Sequence, residues 1–317
     1  MAIQWFPGHM HKARKELAGS LPDADALLMI RDARIPFSSH NPMLENLARE
    51  LPVLNVLTRR DLADERATAV WLDELSKTDD TDAIAIVASD RDGTREIPAR
   101  LQALVPAASR SRVRPWLVLV TGIPNVGKST LINTLTGRSI AATGNEPAIT
   151  RRQQDVSLNE RWRLRDTPGM LWPSVDNEAS GYRLAATGAI RDTAMDSAEV
   201  ATWLLDYLTA TYAERLRARY GDTLPIDDSV AALEFIGRER GCLGSGGLVD
   251  FDRAGRLLLQ EFRSGTLGGM TLETPAMRDR ELAATERRLA EREAKRARRR
   301  DARRAARKSA KARGQGR

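Results

Sequence analysis

Short runs of apolar residues, each bounded by turn-forming residues, recur through the first half of the chain. They predict strands at residues 26–30, 53–57, 83–87, 116–120 and 162–164. Longer amphipathic stretches that favour helices lie between them. Since parallel strands require crossover connections of this kind, we expect an α/β fold with a mostly parallel sheet and helices on both faces.

The hydrophobic pattern becomes helical after about residue 176. Apolar side chains recur at helical spacing at Trp203, Leu204, Tyr207 and Leu208, and again at Val230, Leu233, Phe235 and Ile236. Few strand-like runs follow, which predicts a small all-α domain that ends near Pro275. Four glycines within residues 241–247 predict a tight loop in this domain.

The last part of the chain has a different composition. From Arg278 it is rich in Ala, Arg and Glu and contains neither Gly nor Pro until Gly314. Because it has few large apolar side chains, it is expected to be either an isolated helix or disordered. The sequence therefore predicts an arm at residues 1–20, an α/β domain at 21–175, a helical domain at 176–276 and a tail at 277–317.

The composition of the chain indicates the cellular compartment of the protein. The 317 residues contain one cysteine, Cys242, so no internal disulfide is possible, which fits a reducing compartment. No stretch approaches the roughly 18 consecutive apolar residues of a membrane span, and the first residues lack the pattern of a secretory leader. We expect a cytoplasmic protein without a membrane partner.

The net charge of +7 is unevenly distributed along the chain. Residues 277–317 carry 17 Lys and Arg against 6 Asp and Glu, an excess of +11, and the rest of the chain has a net charge of −4. The basic character therefore belongs to the tail. Such a segment can bind RNA phosphates through counterion release, although Lys- and Arg-rich ends that only increase solubility are a common alternative.

A phosphate-binding motif follows the fourth predicted strand. Residues 122–129, the phosphate loop, read Gly-Ile-Pro-Asn-Val-Gly-Lys-Ser and precede an apparent helix. Glycines let backbone N–H groups converge on phosphate oxygens, the lysine bridges the β- and γ-phosphates, and the serine hydroxyl can bind Mg²⁺. The residues predicted to contact phosphate are Asn125, Val126, Gly127, Lys128, Ser129, Thr130 and, later in the chain, Gly169.

Two further segments complete a predicted magnesium site. Residues 166–169 read Asp-Thr-Pro-Gly after the fifth predicted strand, a sequence that also suits an ordinary turn. Its carboxylate, Asp166, can hold Mg²⁺ together with Ser129, and the Gly169 N–H can sense a γ-phosphate. Thr150 lies in a polar segment between the two motifs and can close on Mg²⁺ when a triphosphate is bound.

Selection of guanine needs a carboxylate that accepts hydrogen bonds from N1–H and the exocyclic amine of the base. Asp61 is the candidate, because residues 58–61 read Thr-Arg-Arg-Asp after a predicted strand and resemble the Asn/Thr-Lys-x-Asp pattern of GTPases. A threonine can form one hydrogen bond there, and an arginine can lie along the base. An exposed acidic residue without a ligand is the alternative. The residues predicted to contact guanine are Thr58, Arg59, Asp61, Ala88 and Ser89.

The order of these segments is the reverse of that in an ordinary GTPase, where the phosphate loop precedes the guanine segment. It resembles the order in circularly permuted GTPases. Further motifs make the resemblance specific to the ribosome biogenesis GTPase A (RbgA/YlqF) family: Trp-Phe-Pro-Gly-His-Met at residues 5–10, Asp-Ala-Arg-Ile-Pro at 32–36 with Asn-Pro at 41–42, and the phosphate loop itself. The resemblance covers about residues 1–275 and leaves out the tail.

The resemblance implies a GTPase that binds GTP and GDP and acts in late assembly of the large ribosomal subunit, with rRNA as a partner and turnover stimulated by the subunit. We expect the free protein to be a monomer. Met170 occupies the place of the water-orienting glutamine of other GTPases, so the resemblance assigns the attacking water to His9, with His11 and His40 as weaker candidates. Asn125 is implied to bind K⁺ beside the Mg²⁺ site. An RNA-contacting His9 and a structural Asn125 are the alternatives.

A different class of function is compatible with the same residues. The chain can be a nucleotide-dependent RNA-binding switch in which hydrolysis is incidental, because the departures at Thr58 and Arg59 can relax the choice of base. Since residues 166–169 fall at the end of the nucleotide domain, the helical domain that follows is expected to read the nucleotide state.

Overall fold

The computed structural model describes most of the chain. The described residues are 15, 17–42, 51–105, 114–139, 154–167, 169, 177–190 and 192–314, with the backbone alone at 194, 297 and 301–314. By internal contacts the chain divides into two compact units, Met1–Pro275 and Ala276–Arg317. The first unit contains the sheet and the helical part together, so the boundary near residue 176 stays a prediction.

Six strands of the described chain form one sheet in the first unit. They are β1 (Ala26–Asp32), β2 (Val53–Thr58), β3 (Thr81–Ala85), β4 (Trp116–Gly122), β5 (Gln154–Ser157) and β6 (Trp162–Asp166). Their order across the sheet is β3-β2-β1-β4-β6-β5, and every neighbouring pair is parallel except β5 with β6. The predicted mostly parallel sheet is confirmed.

Helices connect the strands and make up the second half of the chain. They are α1 (Glu65–Leu75), α2 (Arg91–Thr94), α3 (Ile97–Leu104), α4 (Lys128–Thr136), α5 (Glu178–Ala186), α6 (Ser197–Tyr220), α7 (Ser229–Glu239), α8 (Phe251–Ser264) and α9 (Pro275–Gly314). Beyond residue 176 the described residues form helices and turns and a single bridge between Leu243 and Val249. Of the two alternatives for the tail, the helix is observed.

Two strands differ from the prediction. β3 ends at Ala85, so the end of the apolar run at Val87 lies beyond the strand. The hydrophobic pattern does not predict β5, because only Val156 of its four residues is buried. An edge strand with one buried residue leaves almost no apolar periodicity in the sequence.

The central position of β1 and β4 in the sheet explains why their apolar runs are continuous in the sequence. All seven residues of β1 and all seven of β4 are buried. A strand inside a parallel sheet is covered on both faces, so each of its side chains must pack or be paired. Polar residues stand at the carboxyl ends of both strands, namely Arg31 and Asp32 in β1 and Thr121 in β4.

The carboxyl ends of four parallel strands meet at one edge of the sheet. Asp32 ends β1, Thr58 ends β2, Gly122 ends β4 and Asp166 ends β6. Asp32 pairs with Thr58 in the register of β1 and β2, so these two ends lie side by side. Ligands of open α/β sheets bind at this edge. The reversed order of the segments along the chain therefore does not separate them in space.

The helical part of the first unit packs around α6. This helix bends at Tyr212, whose φ of −129° and ψ of 33° are not helical. Leu204, Leu205 and Leu208 of α6 are fully buried among the surrounding helices. Within the described part of the chain, none of the helices combines the length and the apolar character that a bilayer span requires.

A segment after α8 returns to the sheet. We call residues 269–273 the return segment. The Met270 N–H donates to the carbonyl of Leu62 at 3.0 Å, and the Leu272 N–H donates to the carbonyl of Arg34 at 2.8 Å. The return segment therefore contacts the residues that follow β1 and the residues that follow β2.

The return segment ends in a buried ion pair. Arg183 of α5 lies 3.2 Å from the carboxylate of Glu273, and the two side chains are 2% and 0% exposed. The carboxylate also accepts hydrogen bonds from the backbone N–H groups of Phe37 and Ser38 and from the Ser38 hydroxyl. Burial raises the pKa of Glu273, an effect that Arg183 opposes. This pair links α5, the return segment and the loop after β1.

Replacement of Arg183 by Met should strongly destabilise the protein, since it leaves the Glu273 carboxylate buried without its partner. We expect the free energy of unfolding, measured by urea denaturation, to fall by about 3–5 kcal/mol. The loss should shrink as the pH falls, because the raised pKa of Glu273 lets it take up a proton and become neutral. The exposed pair of Arg238 with Glu234 offers a matched control, and Arg238→Met should cost at most about 0.5 kcal/mol. Equal losses in the two variants would contradict this account.

Candidate nucleotide-binding site

The backbone of the phosphate loop explains where its glycines are needed. Gly122 has a φ of +156°, and a Cβ added there would lie 2.6 Å from the carbonyl oxygen of Ile30. Gly127 precedes the first residue of α4 with a left-handed φ of +97°. The first glycine allows β4 to approach β1, and the second turns the chain into the helix. The loop therefore leads directly to the amino end of α4, where N–H groups are available to an anion.

Lys128 lies inside the phosphate loop. Its Nζ donates to the carbonyl oxygens of Ile123 at 2.7 Å and Gly122 at 3.1 Å. Burial lowers the pKa of Lys128 to about 8, and the nearby carboxylate of Asp166 opposes this shift. An anionic phosphate would favour the charged form further. The lysine is thus a buried cation beside the loop that the motif assigns to phosphate.

Two of the predicted magnesium ligands lie at this end of the sheet. Ser129 is in the first turn of α4, and Asp166 is fully buried at the end of β6, next to β4 in the sheet. A hydroxyl and a carboxylate are the hard oxygen donors that Mg²⁺ takes in proteins, so the donor set fits this ion. The third predicted ligand, Thr150, lies outside the described residues.

Gly169 contacts the phosphate loop. A Cβ added to this residue would lie 2.9 Å from Nζ of Lys128 and 3.0 Å from Cα of Pro124. A side chain has no room between the loop and this segment. The structure therefore brings Gly169 to the phosphate loop, and its contact with a γ-phosphate stays a prediction, while the neighbouring Met170 lies outside the described residues.

The guanine segment abuts the phosphate loop. Thr58 is fully buried, and its hydroxyl lies 2.6 Å from the carbonyl oxygen of Val126 and 3.0 Å from that of Arg31. The methyl group of Ala88 lies 3.5 Å from the position of a Cβ added to Gly127. The observed hydrogen bonds of Thr58 support the phosphate loop, and its contact with a base stays a prediction.

Arg59 binds the phosphate loop as well. Its Nη2 donates to the carbonyl oxygen of Asn125 at 2.7 Å, and its Nε lies 3.6 Å from Asp32. Arg59 and Asn125 both have a left-handed φ of 58°, and they are the non-glycine residues of the described chain with positive φ. Burial lowers the pKa of Arg59, and Asp32 opposes this effect. The strained backbone of the site is therefore concentrated in two residues that bind each other.

Asp61 and Ser89 are the exposed members of the predicted guanine set. Asp61 follows the turn that begins at Arg59, and its carboxylate forms no hydrogen bond or ion pair with any described residue. Ser89 lies just beyond β3. Asp61 is therefore accessible to a ligand at the edge of the sheet, which is what selection of guanine requires.

The sequence prediction left Asp32 and Arg34 without a role at the site. Nε and Nη2 of Arg34 donate to the two carboxylate oxygens of Asp32 at 3.0 and 2.7 Å, and the Arg34 side chain is 0% exposed. Burial alone would raise the pKa of Asp32, but Arg34 and Arg59 lower it below its usual value. The available signal was a carboxylate that directly follows the apolar run at residues 26–30 and Arg31, at the end of a buried strand where an uncompensated charge would be costly.

The remaining predicted residues are Thr130 and the three histidines. Thr130 of α4 lines an open depression of about 360 Å³ together with Arg91 and Arg138. His40 is buried, with Nδ1 3.0 Å from the sulfur of Met29. His9 lies outside the described residues, as does His11.

The chain is similar to named proteins over most of its length. It is 42% identical to ribosome biogenesis GTPase A of Bacillus cereus over 281 residues, which cover 87% of this chain and 95% of that protein. The chain belongs to the ribosome biogenesis GTPase A family. Mitochondrial ribosome-associated GTPase 1 of Mus musculus is a more distant relative, 30% identical over 85% of this chain and 90% of its own length.

Profile and structure comparisons agree with this family. The family described as 50S ribosome-binding GTPase matches residues 117–226, from β4 into the helical part. The crystal structure of GNP-bound YlqF from T. maritima superposes with a TM-score of 0.58 at 25% identity and covers 83% of this chain and 98% of that one. Its GDP-bound structure gives a TM-score of 0.56 at 26% identity. The chain is a circularly permuted GTPase that hydrolyses GTP and acts in ribosome biogenesis.

Replacement of Gly169 by Ala should impair hydrolysis, since the added Cβ would displace the lysine ammonium or the backbone of Pro124. We expect kcat/KM for GTP to fall on the order of 10- to 100-fold, because misplacement of a phosphate-binding group by about 1 Å has effects of this size. Gly19→Ala is the control, because nothing lies within 4 Å of a Cβ added there. Steady-state phosphate release measures both variants. If they hydrolyse GTP equally well, the contact seen at Gly169 has no part in turnover.

Proposed function

We propose that this chain is a GTP-hydrolysing assembly factor for late maturation of the large ribosomal subunit, and that the subunit stimulates its turnover. The observation that carries the proposal is the convergence of Thr58, Arg59 and Ala88 on the phosphate loop, which builds one nucleotide site from two distant segments. The names of the relatives, with the profile described as 50S ribosome-binding GTPase, support the large subunit as the partner. A cytosolic location and a monomeric free state stay predictions from the sequence.

The proposed reaction is attack of water on the γ-phosphate. Lys128 and the N–H groups of the phosphate loop would hold the phosphates, while Ser129, Asp166 and Thr150 would hold Mg²⁺, which would neutralise charge on the phosphate oxygens. His9 orients the attacking water, since Met170 has an apolar side chain that cannot do so. The side-chain oxygen of Asn125 would contribute to a K⁺ site, and the ion would supply further positive charge.

The proposed selection of guanine rests on Asp61. Its carboxylate is exposed and without a hydrogen bond to the described chain, and a carboxylate can accept two hydrogen bonds from guanine. The backbone at Ala88 and Ser89 borders the base from the next strand. Nη2 of Arg59 donates to the carbonyl oxygen of Asn125, which holds the guanidinium beside the phosphate loop, and the stem of Arg59 is proposed to lie along the base.

The protein alone should hydrolyse GTP slowly, and large ribosomal subunits should accelerate it. His9→Ala should lower the stimulated kcat by roughly 100-fold, the usual contribution of a group that handles a proton or positions water. GTP affinity should not change, because the arm holds no predicted nucleotide contact. His11→Ala is the matched control from the same arm and should retain stimulation. An unchanged stimulated kcat in His9→Ala would remove this residue from the mechanism, and an absence of stimulation in the unmodified protein would remove the subunit.

A nucleotide-dependent RNA-binding switch with relaxed base choice is the second candidate. It is favoured by the hydrogen bonds of Thr58 and Arg59 to carbonyl groups of the phosphate loop, which leave Asp61 as the side chain that reads the base. Dissociation constants for GTP, XTP and ATP distinguish the candidates. The proposed GTPase should prefer GTP strongly, whereas a relaxed switch should bind the three nucleotides with similar affinity.

The basic tail supports rRNA as a partner. Residues 277–293 carry five Lys and Arg and five Asp and Glu, whereas residues 294–317 carry twelve against one. The excess charge therefore lies wholly in the distal half of the tail, and α9 runs through that half to Gly314. A helix with this charge can neutralise a row of RNA phosphates. We place the RNA contact in the distal half.

Two charge-matched variants test the tail. In the distal variant, Arg296, Arg299, Arg300, Arg303 and Arg304 become Gln; in the proximal variant, Arg278, Arg280, Arg287, Arg288 and Arg292 become Gln. Both lose five charges, but the distal variant should bind an rRNA fragment with a flatter salt dependence, by up to about four units of the log–log slope. The proximal variant should keep the original slope. If both slopes fall equally, the tail acts only through its net charge. If both slopes stay unchanged, the tail acts only as a solubilising segment.

A further inference from the structure

The carboxyl end of α5 is bound by side chains from other parts of the first unit. Arg263 of α8 donates from Nη2 to the carbonyl oxygen of Ala185 at 2.8 Å and from Nε to that of Ala186 at 2.9 Å. The same guanidinium pairs with Asp192 at 2.9 Å. The last carbonyls of a helix lack partners within the helix and carry partial negative charge, so a guanidinium is well suited to this position. Arg263 therefore fixes the last turn of α5.

The phosphate loop binds the same turn. Nδ2 of Asn125 donates to the carbonyl oxygen of Gly188 at 3.0 Å. Because a carbonyl only accepts, this contact determines which end of the amide faces α5 and directs the side-chain oxygen of Asn125 elsewhere. The orientation of a phosphate-loop side chain thus depends on the position of Gly188.

Arg263 also packs directly over Gly188. This glycine is left-handed, with a φ of +79°, and a Cβ added to it would lie 3.3 Å from Nε of Arg263. The guanidinium and the Asn125 amide therefore hold one short turn from two sides. Arg34 makes a weaker contact with the same turn, because its Nη2 lies 3.4 Å from the carbonyl oxygen of Thr187.

We propose that Arg263 is a positioning residue for GTP hydrolysis: it holds the turn at Gly188 so that the turn orients Asn125 in the phosphate loop. Arg263 lies in the helical part, about 140 residues after the loop on which it acts. α5 begins nine residues after Gly169 and ends two residues before Gly188, and both glycines contact the phosphate loop. A shift of the helical part on a partner would reach the phosphate loop through Arg263.

The inference rests on the proposed function at one point, which is the K⁺ role of Asn125. That role provides a specific measurement, the dependence of turnover on KCl. If the amide oxygen binds K⁺, then loosening Gly188 should raise the concentration of KCl needed for half-maximal turnover. Loss of the Lys128 and Ser129 contacts is not expected, because within the described residues neither side chain forms a hydrogen bond or ion pair with α5. Affinity for GDP should therefore stay the same.

The test replaces Arg263 by Met, which removes the donors and keeps an unbranched side chain of similar length. We expect kcat for GTP to fall roughly tenfold, the usual size of coupling between contacting groups. The half-maximal KCl concentration should rise, and GDP affinity should stay within about twofold of the original. Arg256→Met is the matched control on the same helix, since Arg256 pairs only with Asp252 at the surface, and it should behave as the unmodified protein. Arg263→Lys should recover part of the loss, because one ammonium can still reach one carbonyl.

A double-mutant cycle decides whether Arg263 acts through Asn125. Asn125→Asp keeps an oxygen but loses the N–H that binds Gly188, so adding Arg263→Met to it should cause no further loss of kcat. Losses that multiply in the double variant would overturn the proposal, as would a kcat unchanged in Arg263→Met. If the unmodified protein turns over equally in KCl and NaCl, the K⁺ role fails on its own, and the cycle still decides the positioning role. Unfolding temperatures show whether a variant loses activity through instability, in which case GDP affinity would fall together with kcat.

Discussion

The hydrogen bond from Arg59 to the carbonyl oxygen of Asn125 joins the two segments of the nucleotide site that lie far apart in the chain. Both residues have left-handed backbone, which costs on the order of 1–3 kcal/mol for each non-glycine residue. The cost is offset only while their contacts persist, namely the pair of Arg59 with Asp32 and the hydrogen bond of Asn125 with Gly188. The shape of the phosphate loop therefore depends on β1, β2 and α5 together.

Cations bound to backbone carbonyls recur at the junctions of this site. Lys128 binds carbonyls of the phosphate loop, Arg59 binds Asn125, and Arg263 binds the last turn of α5. A carbonyl dipole accepts a hydrogen bond without neutralising the charge of its donor. Lys128 thus holds the phosphate loop together and still contributes positive potential where anionic phosphates are expected, whereas Arg59 and Arg263 also pair with Asp32 and Asp192. Asp32 is the counter-charge that keeps Arg34 and Arg59 paired at the centre of the cluster.

The permuted order gives the helical part a particular connection to the nucleotide. In the sheet only β1 lies between the guanine strand β2 and the phosphate strand β4, and the segments after both strands meet at one edge, so permutation leaves the site intact. It places Gly169 at the end of the nucleotide-binding segments, and α5 follows within ten residues. Two later segments contact the nucleotide site again. Gly188 binds the phosphate loop, and residues 269–273 bind the loop after β1. A helical part attached in three places cannot move without changing contacts at the nucleotide site.

Particular residues show where prediction from sequence succeeded. Continuous apolar runs identified β1 and β4, because strands buried on both faces leave a strong signal, whereas β5 escaped because one buried residue leaves almost none. Motifs with fixed spacing predicted Lys128 and Gly169 as phosphate contacts, and the structure brings these two residues together. The return segment carries no such pattern, and its contacts to Leu62 and Arg34 join residues about 200 positions apart.

By itself the sequence determined the mostly parallel α/β sheet, the phosphate loop, the reversed order of its segments and the placement of the basic charge in the tail. These properties are local, since they depend on periodicity, short spacing or composition. Only the tertiary structure decided that Thr58 and Arg59 bind the phosphate loop, that Asp32 and Arg34 form a buried pair beside it, and that Arg263 reaches α5. Those contacts depend on which carbonyl groups the folded backbone brings within about 3 Å of a donor, and neither the identity of a donor nor its position along the chain specifies that.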